Sequence, residues 1–386
     1  MALACIRSLP AGFTLMPNQG PCGTIAALQH AVFIGAFRGC LPCLLPVASW
    51  AGLVSAAALG IPALLRAQSR PGAAMPVRIA VGGQAGLYYL PLTVALELGF
   101  FRDEGLDVRV MDYPGGGLAL QALHGRVADV CCGAFEHVVR QQLRGVAYRS
   151  LAVLGRAPQL ALVASARHWP LKDIAGFRGL RVGVTALDSS TQFLASLWLN
   201  QSGVPLDAVR FVGVGSGMEA LTALRQGRVH ALCHSDPLIT MLEQRGEVRL
   251  VADTRTLKGT VEMFGGAMPG ACLYAPQDYV QNHSAEVQAL VNALVHALKW
   301  LQTASPTDLA RVVPPSYLLG DRARYMAAFY KVRETLSPDG LMPEAGPVTA
   351  IRAVARLQPE SAAARVALDK TFSNDWVRKA KQKFQL

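Results

Sequence analysis

The chain is 386 residues long, more than one hydrophobic core usually serves, so two or more domains are expected. Its composition is that of a globular protein, with 52% hydrophobic and 16% charged residues, and its formal net charge is +11. The basic residues are scattered along the chain and form no stripe interleaved with aromatic side chains. We therefore expect no nucleic-acid partner.

The first 75 residues differ from the rest, because arginines are their only charged side chains. An uncharged run at 41–65 follows Arg38 and leads into small residues, an order typical of a secretory signal. Prolines within the run disfavour a stable membrane span. We therefore predict a leader over 1–75 with candidate cleavage points between Ala67 and Ala74, a mature form that begins between Ser69 and Met75, and a periplasmic protein. An uncleaved membrane anchor is the alternative, since about 20 apolar residues can cross a bilayer.

Four of the eight cysteines lie in this leader. Of the other four, Cys131, Cys132 and Cys233 fall in apolar runs, where a free cysteine behaves as a small buried hydrophobe. In an oxidising compartment Cys233 could pair with Cys272, and the sequence leaves that disulfide open. We expect no metal site.

Strands alternate with helices in two successive series after the leader. In the first, strands are predicted at 77–81, 107–111 and 128–132 and helices at 92–101 and 117–123; in the second, strands at 180–184, 209–212 and 229–233 and helices at 190–201 and 218–226. Alternation of this kind is typical of parallel sheets. A related unit recurs in both series, "GGGLALQALHGRVADV" at 115–130 and "GSGMEALTALRQGRVHAL" at 215–232. We therefore predict two similar α/β lobes.

The segment 166–179 contains Pro170 and two glycines, as a crossover between lobes should. We place the first part of lobe 1 at 76–165, lobe 2 at 166–269, and a return to lobe 1 at 270–386. Helices are predicted in the last part at 284–304, 306–313, 321–336 and 346–357, packing on lobe 1. The lobes are expected to move as units about connections near 165–170 and 258–272.

Residues 88–133 and 177–237 together resemble the sulfonate, nitrate and taurine family of periplasmic solute-binding proteins. The most specific parts are "GFFRDEGL" at 99–106, "GRVAD" at 125–129 and "LRVGV" at 180–184. The resemblance implies the two-lobed periplasmic binding protein fold of type 2, with mostly parallel sheets flanked by helices. It also implies a non-catalytic, monomeric component of an ABC importer that binds a small organic solute, delivers it to an inner-membrane permease and carries no cofactor.

Parallel sheets bind ligands beyond the carboxyl ends of their strands, where helix N-termini offer unpaired N–H groups. The resemblance, together with this rule, gives the candidate ligand contacts Gln84, Tyr88, Gly116, Gly117, Glu136, Asp188, Ser189, Ser190, Thr191, Gly215 and His234. Structural alternatives exist for several of them. Ser189 and Gln192 have capping-box spacing. Glu136 is also a first-turn carboxylate favoured by the helix dipole, and His234 could be a structural histidine.

The candidate loops contain Glu136 and Asp188 but no lysine and no evident arginine. A compact anion such as nitrate would meet two carboxylates there. The sequence therefore favours a larger, partly neutral organic ligand, with an aromatic wall from Tyr88, Tyr89 or Phe135.

Two other functions compete with transport. The chain is also similar to the yeast-type synthase of the thiamine pyrimidine, a family that needs a lysine for pyridoxal phosphate and a cysteine-rich motif. Here the first lysine is Lys172, and Cys131-Cys132 is only a fragment of such a motif. With no Gly-x-Ser-x-Gly nucleophile motif either, we predict that the protein is not an enzyme. A ligand-sensing partner of a membrane receptor stays open.

Overall fold

The computed structural model describes residues 74–167, 173–358 and 366–385. The predicted leader and its cleavage region lie outside the described residues, except for Ala74 and Met75. All described residues belong to one compact unit, Gln68–Leu386. Within these ranges, no helix combines the length and the apolar character that a bilayer span requires.

In the described residues, ten strands form two sheets of five. They are β1 (Met75–Gly82), β2 (Leu106–Tyr113), β3 (Val130–Ala134), β4 (Tyr148–Val153), β5 (Leu160–Ser165), β6 (Arg181–Val184), β7 (Arg210–Gly213), β8 (Ala231–Ser235), β9 (Val248–Asp253) and β10 (Ala271–Pro276). The strand orders are β2-β1-β3-β10-β4 in the first sheet and β7-β6-β8-β5-β9 in the second.

Helices cover both sheets. They are α1 (Leu90–Glu97), α2 (Phe100–Asp103), α3 (Gly116–His124), α4 (Phe135–Leu143), α5 (Ser190–Gln201), α6 (Met218–Arg225), α7 (Leu238–Gln244), α8 (Leu257–Phe264), α9 (Gln277–Asn282), α10 (Ser284–Thr303), α11 (Pro306–Val312), α12 (Arg322–Val332), α13 (Gly346–Leu357), α14 (Leu368–Thr371) and α15 (Asp375–Phe384). The helices predicted at 117–123, 190–201 and 218–226 occupy the predicted places. The helix predicted at 92–101 is interrupted at Gly99, which has a left-handed backbone, and forms α1 and α2.

The two sheets have the same topology. β1 pairs in parallel with β2 and β3, and β6 pairs in parallel with β7 and β8. β10 runs antiparallel to β3 and β4, as β5 does to β8 and β9. In each sheet the antiparallel strand is therefore the one that enters from the other lobe. This arrangement confirms the predicted fold of two lobes with mostly parallel sheets.

The first passage between the lobes lies earlier than expected. β4 belongs to the first sheet and β5 to the second, so the chain crosses at 154–159 instead of 166–179. The strand 160–165 is uniformly apolar and buried. The sequence analysis did not predict this strand, and a uniformly apolar strand fits the centre of either sheet. The second passage lies at 254–270, between β9 and β10.

The C-terminal helices divide between the lobes. α10 packs on α1, α2 and α15 in lobe 1, as predicted. In contrast, α12 packs on α7 of lobe 2, and α13 contacts both α4 and α5. The last part of the chain therefore touches both lobes. The cysteines Cys131, Cys132, Cys233 and Cys272 are all free and buried, so the disulfide that the sequence left open is not formed.

Candidate functional site between the lobes

Glycine loops at the carboxyl ends of the parallel strands bring the two lobes into direct contact. A Cβ atom at Gly83 would lie 2.4 Å from Cβ of Ser216 in the facing lobe. At Gly117 it would lie 2.2 Å from the carbonyl oxygen of Leu187. Such distances leave no room for a side chain, so the lobes are closed on each other in this structure.

A cavity of about 50 Å³ lies between the closed lobes. It is lined by Gly82, Gly83, Ala85, Gly86, Thr185, Ser216, Gly217, His234, Ser235, Asp236, Pro237, Leu238, Tyr317 and Leu319. Cavities that hold small organic ligands usually measure roughly 300 Å³ or more, whereas this volume suits a few water molecules. An organic ligand would therefore require the lobes to separate further.

Two polar side chains are buried at the start of α4 in lobe 1. Glu136 is 3% exposed and His137 is 1% exposed. Among the described residues, Glu136 Oε1 and His137 Nε2 have no hydrogen-bond partner, although they lie 3.4 Å apart. His137 also borders Gly116, where a Cβ atom would lie 3.2 Å from the ring carbon Cε1. Buried polar atoms are seldom left unpaired, so a hydrogen-bond partner would stabilise this pair. Neither residue lines the cavity of the closed form.

Burial shifts the protonation of both groups. It raises the pKa of Glu136 to about 7, because the charge of Arg140 compensates only in part. It lowers the pKa of His137 to about 3. At neutral pH the imidazole is therefore uncharged, while the carboxyl of Glu136 is close to its midpoint. The other ring nitrogen, Nδ1 of His137, lies 3.2 Å from the hydroxyl of Tyr274, which fixes the orientation of the ring.

An ion pair joins the lobes beside these residues. Arg140 of α4 reaches Asp188 of lobe 2, with Nη2 3.0 Å from Oδ1 and Nη1 3.1 Å from the backbone oxygen. The same guanidinium lies 3.5 Å from Glu136 Oε2. Asp188 has a left-handed backbone with φ of 61°, a conformation that aspartate tolerates better than most residues. The pair neutralises one of the two carboxylates that the sequence placed in the cleft.

Hydroxyl groups dominate the corresponding loop of lobe 2. Thr191 Oγ1 accepts from the backbone N–H of Thr185 at 3.0 Å, and Ser189 Oγ donates to Ala186 O at 2.6 Å. Gln192 accepts from the N–H of Asp188, and the side chain of Ser189 makes no capping bond. The capping box that was the structural alternative for Ser189 and Gln192 is therefore not formed, because the hydroxyl of Ser189 bonds to the preceding turn.

His234 contributes a second buried histidine, 2% exposed, from the end of β8. Its Nδ1 accepts from the N–H of Ser235 at 3.0 Å, and Nε2 makes no well-aligned hydrogen bond with any described residue. Burial lowers its pKa, although the backbones of Ser235 and Gly215 favour the charged ring. Gly215 has φ of 80° and donates its N–H to Thr185 O at 3.1 Å. The imidazole of His234 lines the cavity.

Asp236, beside His234, belongs to a buried charge cluster. Arg255, which is fully buried, lies 3.3 Å from Asp236, 2.9 Å from Glu243 and 2.8 Å from Asp253. Burial raises the pKa of Asp236 and the charge of Arg255 opposes that shift. Because Arg255 starts the second passage between the lobes, the cluster ties the cavity wall to that connection. Lys331 of α12 also reaches Glu243, at 3.0 Å.

Of the predicted contacts, all of which lie in the described residues, His234 lines the cavity and the other ten do not. Gln84 donates its backbone N–H to Asp112 at 3.0 Å. The ring of Tyr88 packs edge-on against Tyr89, with centroids 4.8 Å apart, inside the core of lobe 1. Ser190 is half-buried at the first residue of α5. None of these three side chains lines the cavity.

Sequence reasoning missed several residues of this site. His137 and Arg140 follow Glu136 on α4, and the four-residue spacing of Glu136 and Arg140 was a usable signal for an ion pair. Tyr317 and Leu319 come from the connection between α11 and α12 and line the cavity. No local pattern marks them, because they reach the cleft only through the packing of α12 on lobe 2.

The fold and the cleft define a two-lobed protein with the periplasmic binding protein architecture. A sequence model of the NMT1/THI5-like family matches residues 87–307, which is more than half of the chain. The chain therefore belongs to the NMT1/THI5-like family. The match runs from the turn after β1 to the start of α11 and so includes every predicted contact except Gln84.

Two curated relatives are similar in sequence. YtlA of Bacillus subtilis (strain 168), which is named as a candidate binding protein, is 23% identical over 273 residues, or 67% of this chain and 76% of YtlA. The 4-amino-5-hydroxymethyl-2-methylpyrimidine phosphate synthase of Uromyces fabae is 21% identical over 229 residues, or 56% of this chain and 64% of that enzyme.

Solved structures share the fold. A protein of Bordetella bronchiseptica RB50 is 47% identical, with a TM-score of 0.79 over 81% of this chain and 98% of the other. The alkanesulfonate-binding protein SsuA of Xanthomonas axonopodis pv. citri, bound to MOPS, is 20% identical (TM-score 0.58; 77% and 98% covered). The periplasmic nitrate-binding protein NrtA of Synechocystis PCC 6803 is 15% identical (TM-score 0.62; 81% and 89% covered). At 20% and 15% identity, the last two similarities establish the fold alone.

Proposed function

We propose that this protein is the non-catalytic substrate-binding component of an ABC importer and closes its two lobes on a small organic solute. The observation that carries the proposal is the set of unpaired, buried polar atoms at the interlobe cleft, on Glu136, His137 and His234. SsuA and NrtA, which share the fold, are named for the alkanesulfonate and the nitrate that they bind. These names support a solute-binding role.

The strength of binding requires contributions from both lobes. A single helix N-terminus stabilises an anion by about 0.3 to 1 kcal/mol, whereas micromolar affinity needs roughly 8 kcal/mol. Several hydrogen bonds and burial of apolar area must supply the difference. Glu136 and His137 belong to lobe 1 and His234 to lobe 2, so a solute can engage them together only when the cleft closes.

We further propose that the solute is organic and offers a hydrogen-bond donor to Glu136. The unpaired Oε1 atom of Glu136 is an acceptor when ionised. Arg140, which follows Glu136 on α4, is already engaged by Asp188 and Glu136. No lysine of the described ranges lines the cavity. A compact anion such as nitrate would therefore lack a free cation.

Mass spectrometry of small molecules that copurify with the protein would identify the solute class directly. A thermal-shift panel of sulfonates, nitrate, aromatic acids, pyrimidines and amines provides the comparison. We expect the largest shifts from organic compounds with donors, and loss of that preference in Glu136→Gln. The exposed Glu97→Gln is the matched control and should preserve it. A largest shift from nitrate or a simple alkyl sulfonate, unchanged in Glu136→Gln, would contradict the proposal.

Closure of the lobes can be measured separately. The two passages between the sheets, 154–159 and 254–270, are where we propose that the motion occurs. Small-angle scattering with and without a tight ligand should show a smaller radius of gyration in the bound form. An unchanged profile at saturation would argue against a closing cleft.

Export, monomeric state and the permease partner are also proposals. N-terminal sequencing of protein from the periplasmic fraction should give a start between Ser69 and Met75, and size-exclusion chromatography should give a monomer. Stimulation of ATP hydrolysis by the cognate transporter in proteoliposomes would separate an importer component from a receptor partner. Recovery of the intact leader in the membrane fraction alone would exclude a cleaved, exported form.

Catalysis is the second candidate, because the Uromyces fabae relative is a synthase. Burial raises the pKa of Cys131 to about 12, so this thiol stays protonated at neutral pH and is a poor nucleophile. The family resemblance requires a lysine that holds pyridoxal phosphate. Borohydride reduction after incubation with pyridoxal phosphate, followed by peptide mass spectrometry, should find no single stoichiometric lysine adduct. Such an adduct would favour the enzyme.

A further inference from the structure

A second cavity, of about 390 Å³, lies apart from the residues of the cleft. Three segments form it: the first passage between the lobes, the second passage with α8, and the stretch 337–343. Its lining residues are Arg156, Leu257, Thr260, Val261, Ala267, Ser337, Pro338, Asp339, Leu341, Met342 and Pro343. The volume falls within the range of small-molecule sites, unlike that of the closed cleft.

Most of this wall is apolar. Leu257, Val261 and Met342 contribute aliphatic and thioether groups, and Val261 is 53% exposed. An exposed aliphatic side chain beside a concave apolar wall would lose contact with water if the cavity were filled. Burial of apolar area contributes about 25 cal/mol per Å², so an apolar body in this cavity would gain stability.

The charges at the cavity favour an anion. Arg156 donates from Nε and Nη2 to the carbonyl oxygen of Glu334, at 3.0 and 2.9 Å, and forms no ion pair with a described residue. The carboxylate of Asp339 is paired with Lys381 at 2.5 Å. The carboxylate of Glu334 accepts the N–H of Leu257. The wall thus carries one guanidinium whose charge is not compensated.

The neutral polar groups are already satisfied. Thr260 Oγ1 donates to Thr256 O at 2.8 Å, and Ser337 Oγ accepts the N–H of Gly340 at 2.9 Å. A ligand in the cavity would therefore find one polar anchor, Arg156, and an apolar remainder.

We propose that this cavity is a second binding site, for an amphiphilic monocarboxylate with an aliphatic or aromatic body. The carboxylate would pair with Arg156, and the body would lie against Leu257, Val261 and Met342. Because residues of both interlobe passages line the cavity, an occupant would contact both connections at once. The site is independent of the solute proposed for the cleft.

Isothermal titration with octanoate below its micelle concentration tests the proposal, with octanol and octylammonium as probes of charge. We expect octanoate to bind more tightly than octanol, and octylammonium to bind most weakly. Arg156→Gln should weaken octanoate binding about tenfold, the loss of one charge-assisted hydrogen bond, and leave octanol nearly unchanged. The exposed Arg109→Gln, with the same change of charge, should have no effect.

A second variant keeps the test decisive if Arg156→Gln disturbs the fold. Val261→Asp places a negative charge at an exposed position of the wall and should abolish octanoate binding without unfolding α8. Glu136→Gln in the cleft should leave octanoate binding intact. The proposal is overturned if octanoate does not bind at millimolar concentration, if it binds no better than octanol, if Val261→Asp still binds it, or if Glu136→Gln removes it.

Discussion

The two lobes share one topology but present different chemistry to the cleft. Lobe 1 offers ionisable groups on α4, with Glu136 and His137 buried and Arg140 beside them. Lobe 2 offers hydroxyl groups around Thr191 and the imidazole of His234. The two lobes therefore have the scaffold and the glycine loops in common. They differ in the side chains that would contact a ligand.

The lobes also differ in how they treat buried charge. In lobe 2, Asp236 is balanced by Arg255, which three carboxylates surround at 2.8 to 3.3 Å. In lobe 1, the charge of Glu136 is balanced only in part by Arg140 at 3.5 Å, and its pKa is raised to about 7. The first arrangement stabilises a fixed wall. The second leaves a group whose protonation can respond to a ligand or to pH.

The largest expected effect comes from breaking the balanced cluster of lobe 2. Arg255→Met leaves Asp236 buried without its ion-pair partner, with Lys331 at Glu243 as the remaining cation of the cluster. We expect this change to cost about 3 to 5 kcal/mol of unfolding free energy. Urea denaturation measures the loss. Arg378→Met, which removes an exposed ion pair with Asp375, should cost less than about 1 kcal/mol. Equal effects of the two variants would refute this view of the cluster.

The next effect concerns the unbalanced glutamate of lobe 1. Its carboxyl has a pKa near 4.5 when unfolded and about 7 when folded, so the folded state binds more protons between these values. The unfolding free energy is therefore unaffected by this group at low pH and falls as the pH rises through 7 and the buried carboxyl ionises. Above pH 7 ionisation of Glu136 lowers the unfolding free energy by about 3 kcal/mol. Glu136→Gln should abolish this dependence on pH.

Thermal unfolding of Glu136→Gln and the parent between pH 5 and 8 tests this expectation. The difference in Tm, variant minus parent, should grow by several degrees with rising pH, since ~1 kcal/mol corresponds to about 2 to 4 °C. The exposed Glu97→Gln should show a constant difference. A flat difference for Glu136→Gln as well would mean that this carboxyl titrates normally.

The scaffold was more predictable from the sequence than the site. The predicted helix at 190–201 coincides with α5, because a Ser-rich start and the apolar run that follows it mark the helix locally. The sheet that contains 160–165 could not be predicted, since an apolar strand fits the centre of either sheet. Glycines at the cleft were predicted from the repeats. Tyr317 was not predicted, because it reaches the cavity from a distant connection whose position depends on tertiary packing.

Gly117 allows a test of closure that spares the fold. A Cβ at this position meets the carbonyl of Leu187 at 2.2 Å across the cleft, while the backbone of α3 accepts alanine. Gly117→Ala should therefore keep or slightly raise stability, since alanine is favoured over glycine in helices by about 1 kcal/mol. Its radius of gyration without ligand should exceed that of the parent, because the lobes could not approach each other as closely at Leu187.

Gly125→Ala is the matched control at the other end of α3. Its Cβ would lie 3.4 Å from Gln121 O within the same lobe and would not touch lobe 2. Its scattering should match that of the parent. If Gly117→Ala also matches the parent, the close approach of the lobes at Leu187 does not limit closure.

The smallest effect is expected at the ion pair between the lobes. Asp188 is 61% exposed on its side chain, so its pairing with Arg140 should contribute only about 0.2 to 1 kcal/mol in a double-mutant cycle of Arg140→Gln and Asp188→Asn.

The effect of this ion pair on the titration of Glu136 is more diagnostic. Arg140 lowers the pKa of Glu136 and Asp188 raises it. Arg140→Gln should move the titration of Glu136 to higher pH, and Asp188→Asn to lower pH. Carboxyl NMR of Glu136 measures both shifts. Because Asp188 belongs to lobe 2, its effect requires closed lobes, so a shift only in Arg140→Gln would mean that the ligand-free protein is open in solution.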